Sequence, residues 1–240
     1  MKSSQSDRGA LLLMATIVLI WGLGWVIMKF LSPYVGSFDV VVIRYALGFA
    51  SLLVIQLAWR QPLRIPPLGL TLGIAVVDPW HNQSTLVSML LAIGGGASWG
   101  MGTVFSKMLL QRHRNVNVLN LTTWQMFLGT LLALPFTQLI PQPAIVWSPA
   151  VVVGLLYLGV MSSAVAWVMW LAVVRRVNAT VAGMSGLGVP VFTVVLAWAF
   201  LDEMPGALEL TGIILMLAGL LVVVLAPQGR RADPVPQVPS

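Results

Sequence analysis

Apolar runs of about 20 residues, the length that crosses a bilayer core about 30 Å thick, follow one another along most of this chain, and the short connections between them carry most of its charge. Such runs read as transmembrane helices and leave no room for a sizeable soluble domain. The balance of residue types agrees: 58% are hydrophobic, 8% are charged, and mean hydropathy is +0.93, far above that of soluble domains. The predicted spans are residues 10–32, 39–59, 64–79, 86–109, 118–140, 149–172, 179–201 and 207–226. The expected fold is an all-α polytopic membrane protein of about eight transmembrane helices. Residues 1–9 precede the spans, and residues 227–240, with Pro234, Pro236 and Pro239, read as a disordered tail.

The basic residues orient these helices. The net charge is +6, yet Lys and Arg lie in pairs between apolar runs rather than in one patch, which argues against a nucleic-acid partner. A cytoplasmic N-terminus puts Lys2, Arg8, Arg60, Arg64, Arg112, Arg114, Arg175, Arg176, Arg230 and Arg231 on inner loops and no Lys or Arg on outer ones. Both termini are thus predicted to be cytoplasmic. The first run follows Lys2 and Arg8 as a signal peptide would, but it is long and lacks a convincing small-residue cleavage site, so it reads as a retained span. The run 64–79 is short and opens with Pro66-Pro67. Were it re-entrant, every later basic loop would change sides, so the charges predict a crossing, tilted or strained, with Trp80 at the interface. There is no cysteine, and His81 and His113 fall in separate loops, so no disulfide, metal centre or cofactor is expected.

Two spans share a signature. Trp21-Gly22 is followed by Lys29, and Trp99-Gly100 by Lys107, each lysine eight positions after its tryptophan. Many secondary transporters consist of two related halves of opposite orientation, whereas a soluble enzyme would not place the same aromatic, glycine and cation on two apolar helices. Lys29 falls near the outer end of its span and Lys107 near the inner end of its own, as an inverted pair should. Each is either an interfacial anchor whose ammonium snorkels to the headgroups or part of a solute path or gate. Arg44, about 5 residues into the second span and so roughly 7 to 8 Å along its axis, either snorkels to the outer headgroups or has a buried structural or gating role. Trp21 completes the gate or path candidates.

The run from Trp21-Gly22 through Lys29 to Arg44-Tyr45, its counterpart from Trp99-Gly100 to Lys107, the segment Gly159-Val160-Met161-Ser162-Ser163-Ala164 leading to Arg175-Arg176, then Gly188-Val189-Pro190, Asp202-Glu203 and Gly212 to Gly219 together resemble an EamA-type permease of the drug/metabolite transporter superfamily. That resemblance implies ten helices in two inverted five-helix repeats. Residues 86–226 supply a full second repeat, whereas residues 10–80 supply about three helices of the first. The deficit is roughly fifty residues, two spans of about 20 with their connections. The run after Pro67 resembles the start of a family third helix, and Val76-Val77-Asp78-Pro79-Trp80 the exit of its fifth, so segment 64–79 is expected to be a splice that removes an even number of crossings.

The residues themselves suit recognition and passage rather than bond making, and no enzyme activity is expected. Ten tryptophans include Trp99, Trp124, Trp167 and Trp170 at mid-membrane depth, where an indole face can meet an apolar, aromatic or cationic solute or simply pack. Trp59, Trp80 and Trp147 suit interface belts. Gln125, Tyr157, Ser162 and Ser163 add the polar groups that orient a ligand, although serine in a membrane helix often bonds its own backbone. The stretch from Gly186 through Gly188 to Pro190 can bend to line a cavity or merely kink. Ala92, Gly96 and Gly100, and likewise Ala179 and Gly183, form small-residue stripes that let helices approach closely. The expectation is a permease, in a bacterial inner membrane, that exports small metabolites or drug-like solutes such as amino acids or aromatic and cationic compounds by alternating access. The alternative is a transport-inactive, degenerate permease or an interaction subunit. Lipid and solute are the expected partners, with a homodimer expected where the short first repeat leaves a face uncovered.

Overall fold

A computed structural model of the chain describes residues 2–61, 63, 85–113, 115–177, 186, 188–201, 204, 206–207, 210–215 and 217–218. Regular structure among them is helical throughout: α1 (Lys2–Leu31), α2 (Ser37–Ala58), α3 (Thr85–Arg112), α4 (Val118–Leu139), α5 (Pro149–Leu156), a π-helix (Tyr157–Val165), α6 (Ala166–Arg176) and α7 (Gly188–Leu201). These belong to one compact unit, Met1–Glu203; in a second unit, Met204–Ser240, residues 210–215 are helical. Leu12–Leu31, Ser37–Ala58 and Pro149–Arg176 are long and apolar enough to cross a membrane, and Gly188–Leu201 is a shorter apolar helix. Helices α3 and α4 run to 28 and 22 residues, but α4 dilutes its apolar residues with Asn120, Thr122, Thr123 and Gln125. The run 64–79 with Trp80 and His81, the stripe Ala179 to Gly183, Asp202-Glu203 and residues 219–240 lie outside the described residues.

Local chemistry sets the helix ends. Pro33 cannot continue α1, and Ser32 Oγ folds back onto Lys29 O at 2.8 Å. Asn117 caps α4, its side chain accepting from Leu119 N at 2.9 Å and Asn120 N at 3.3 Å, and Ser148 caps α5 by accepting from Val151 N at 3.2 Å, with Pro149 in the first turn. The two loops at one end of the unit are tied together, since Val146 N donates to Tyr34 O at 2.9 Å and Phe38 N to Gln142 Oε1 at 3.1 Å. At the opposite end Arg175 Nη2 donates to Val116 O at 2.5 Å, and Asn117 Nδ2 to Gln61 Oε1 at 3.1 Å.

The continuous helix α5–π–α6 is the centrepiece, with α1 on one side and α2 on another. Small residues make this possible in lipid, where helices associate by close packing rather than by a hydrophobic drive. A Cβ on Gly159 would stand 2.4 Å from Leu47 Cβ and 3.3 Å from Arg44 O, and one on Gly48 would stand 3.2 Å from Gly159 O. Helices α2 and α4 pair through Tyr45 lying over Gly129, Phe49 against Phe127 at 5.0 Å, and Gln56 Nε2 donating to Thr123 Oγ1. Helix α7 docks on α1, with Phe192 against Gly22 and Val18 against Gly188. Two apolar clusters close the unit at its ends: Leu31, Val35, Val40, Val151, Leu155 and Leu158 near Tyr34, and Met14, Ile17, Leu110, Leu121, Leu171, Val173 and Val174 near Arg175.

Candidate functional site

The structure gathers four indoles from three helices. Trp21 of α1 meets Trp99 of α3 at 5.5 Å between ring centroids, Trp167 at 5.8 Å and Trp170 at 5.7 Å; Trp99 lies 5.8 Å from Trp167 and 5.4 Å from Trp170. Trp167 and Trp170, one helical turn apart, come from α6. Edge-to-face and tilted contacts at these distances are the favoured aromatic geometry, each worth about 0.5–1.5 kcal/mol beyond the area buried. The rings pack on one another, so no ring-sized guest fits between them in this state. They form a close-packed indole cluster resting on the apolar cluster near Arg175, to which Trp170 itself belongs.

Three of the predicted cavity residues, Trp99, Trp167 and Trp170, are therefore adjacent, and Trp21, read from sequence as a gate candidate, joins them. Trp124 stands apart from these ring contacts and packs on Phe127 at 5.7 Å. Its Nε1, and both amide atoms of the buried neighbour Gln125, have no hydrogen-bond partner among the described residues. An amide left unpaired in an apolar interior costs several kcal/mol in lipid, so Gln125 is either served by a bound polar group or carries that cost.

On the far side of the indoles the π-helix presents the polar candidates. Ser163 Oγ accepts from Arg44 Nε at 3.1 Å, while Arg44 Nη1 reaches Met28 Sδ at 3.4 Å and its guanidinium lies 5.1 Å from the Tyr45 ring centroid. Tyr157 OH donates to Ile20 O at 3.1 Å. Ser162, on the same segment, offers its backbone O to Trp21 Nε1 at 2.9 Å. Sequence reasoning read 149–172 as one uniform helix and missed this bond. A run of small residues, Gly159 with Ser162, Ser163 and Ala164, was the available signal, but hydropathy is blind to a change from i→i−4 to i→i−5 spacing. Short stretches of π geometry are frequent at functional sites.

The remaining candidates lie outside this constellation. Lys107 Nζ donates to Val174 O, Arg175 O and Val177 O at 2.8, 3.1 and 2.6 Å, and so caps the end of α6, where a cation meets the negative end of the helix dipole. Lys29 is exposed in the last turn of α1. Gly188 packs on Val18. Pro190 is exposed in the first turn of α7, where a missing N–H interrupts no helix bond, so it begins a helix rather than bending one. Trp59 and Trp147 are 69% and 62% exposed at opposite ends of the unit, as interfacial belts require.

Known proteins resemble this arrangement in sequence. The EamA-like transporter family matches residues 86–225, more than half of the chain. An uncharacterized transporter of Bacillus subtilis, YoaV, is 26% identical over 142 residues, covering 59% of this chain and 48% of its own length. A protein of Salmonella typhimurium named "Probable amino-acid metabolite efflux pump" is 27% identical over 148 residues, 59% of this chain and 50% of that one. One of Streptantibioticus cattleyicolor named "Probable terminal-alkyne amino-acid exporter" is 29% identical over 161 residues, 67% and 53% of the two chains. The chain thus spans about half the length of the curated relatives it matches. No solved structure matches.

Proposed function

This chain belongs to the EamA-like transporter family, and on that premise we propose that it is a permease passing small amino-acid-like or aromatic solutes out of the cell by alternating access. It is an integral membrane protein; the eight spans, the cytoplasmic termini and the shortened first repeat complete the reading. The observation that carries the proposal is the plug of Trp21, Trp99, Trp167 and Trp170. Packed as it is, it bars a path between α1, α3 and α6, and once parted it offers indole faces to an apolar or aromatic side chain. Gln125, with an amide N–H donor and carbonyl acceptor both unmet among the described residues, supplies the polar contact that a carboxylate or amino group takes up. The names of the relatives from Salmonella and Streptantibioticus support the solute class and the outward direction.

Flux of aromatic and aliphatic amino acids from proteoliposomes tests this. Trp167→Ala should change flux by a few-fold to about thirtyfold, the range of a cation–π or stacking contact worth roughly 0.5 to 2 kcal/mol, and Trp147→Ala should leave it near the starting value. Equal effects at the two positions would make the cluster mere packing. A second reading, a transport-inactive degenerate permease or interaction subunit, is favoured by residues 10–80 carrying about three expected spans against five in 86–226. Flux indistinguishable from empty liposomes for the folded chain, with association restoring helix contacts, would establish it.

A further inference from the structure

Resting on the reading of the indoles as a barrier, we infer that Trp21 is a positioning residue that keeps this barrier shut by fixing where the extra residue of the central helix sits. In an α-helix Ala166 N–H would bond to Ser162 O. Here it bonds to Met161 O, five residues back, and Ser162 O faces sideways to accept Trp21 Nε1 at 2.9 Å. One residue earlier on α1, Ile20 O accepts Tyr157 OH at 3.1 Å, at the start of the same π segment. Helix α1 therefore holds the nine-residue segment at its first residue, Tyr157, and at its sixth, Ser162.

The whole helix is held as well. Ser148 Oγ caps its first turn, and Lys107 Nζ is bonded to three carbonyls at its last. With both ends held, the widened turn cannot be lost by spinning the helix; it can only travel along it. Travel towards Arg175 rotates the residues it passes by about 100° each, one residue's share of a 3.6-residue turn. Trp167 is the first large side chain in that path, and its rotation takes it off Trp21 and Trp99 without disturbing either end. The indole N–H opposes this travel because a shifted turn would leave Trp21 Nε1 and Ser162 O to re-form their bonds elsewhere in a medium that offers no water.

The chain has no cysteine, so single reporters are unambiguous. Ala166→Cys sits at the junction of the π-helix and α6, and Val173→Cys near the Lys107-held end; both parent residues are 0% exposed. Maleimide labelling rates of each, in the full chain reconstituted in liposomes, are compared with Trp21 and with Trp21→Phe, which keeps a ring and loses the N–H. The expected result is labelling of Ala166→Cys roughly tenfold faster in the Phe background, the population change that one ordinary hydrogen bond commands, with Val173→Cys unchanged. Amide hydrogen exchange should quicken over residues 157–167 alone. Equal Ala166→Cys rates in the two backgrounds overturn the inference, and so does acceleration at Val173→Cys, which signals general loosening instead of a local shift. No solute enters these measurements, so the positioning role of Trp21 and the transport reading can fail separately.

Discussion

The two Trp-Gly helices carry one signature and meet different surroundings. In α1, a Cβ on Gly22 would stand 2.6 Å from Phe192 Cδ1, and Trp21 is bonded to Ser162 O. In α3, no atom of the described residues lies within 4 Å of a Cβ on Gly100, and Met101 and Met108 beside it are 67% and 62% exposed. The indoles converge while the glycines do not. The difference teaches that one sequence signature can sit on two different surfaces, of which, among the described residues, only the one at Gly22 is filled. Helix α7 fills the Gly22 surface through Phe192. The lysines differ in burial: Lys107 is partly buried where it caps α6, and Lys29 is exposed.

The sharpest way to break this comparison is topological. Single cysteines at Ser32 and Gln111, just beyond Lys29 and Lys107 and both exposed, should be labelled by an impermeant maleimide from opposite faces of a sealed vesicle. Labelling from one face would end the inverted-pair reading. Next in size, Gly22→Val should lower stability by about 1–3 kcal/mol, the usual cost of overpacking, because Phe192 must move. Gly100→Ala should raise it by up to about 1 kcal/mol, since alanine is the better helix former and its Cβ meets nothing among the described residues. Thermal unfolding in detergent measures both, and a loss at Gly100→Ala would reveal a partner on that face.

Removing the charge sharpens the comparison further. Lys107→Met should cost about 1.5–3 kcal/mol, the range for hydrogen bonds to a charged group, and should loosen the last turn of α6 in hydrogen exchange. Lys29→Met should fall within about 0.5 kcal/mol, as surface substitutions do. The smallest difference is between the indoles: Trp99→Phe should cost about 1 kcal/mol of ring contact, and Trp21→Phe slightly more, because it also loses a hydrogen bond. Equal values would mean that the Ser162 carbonyl finds another donor.

Much of the helical layout was legible in the residues alone. The runs around Trp21, Arg44 and Trp167 coincide with helices long and apolar enough to cross a membrane, because hydropathy and length are local properties that a bilayer reads directly. The convergence of Trp99, Trp167 and Trp170 was half legible, through their shared depth and the i, i+3 spacing of the last two. What remained hidden was which neighbours each side chain would meet: Trp21 with the Ser162 carbonyl, Lys107 with the end of α6, Gln56 with Thr123, and Gly100 with nothing described. By itself, then, the sequence determined the solvent, the position of most helices and the duplicated signature. Only the tertiary structure decided the π geometry, the packing of the four indoles on one another and the different surroundings of the two glycines among the described residues. The physical reason is that helices in lipid are sorted by close packing around small residues and by a few interhelical hydrogen bonds, and these depend on contacts between residues far apart in the chain, from 67 positions for Gln56 and Thr123 to 141 for Trp21 and Ser162, that no periodicity along the chain records.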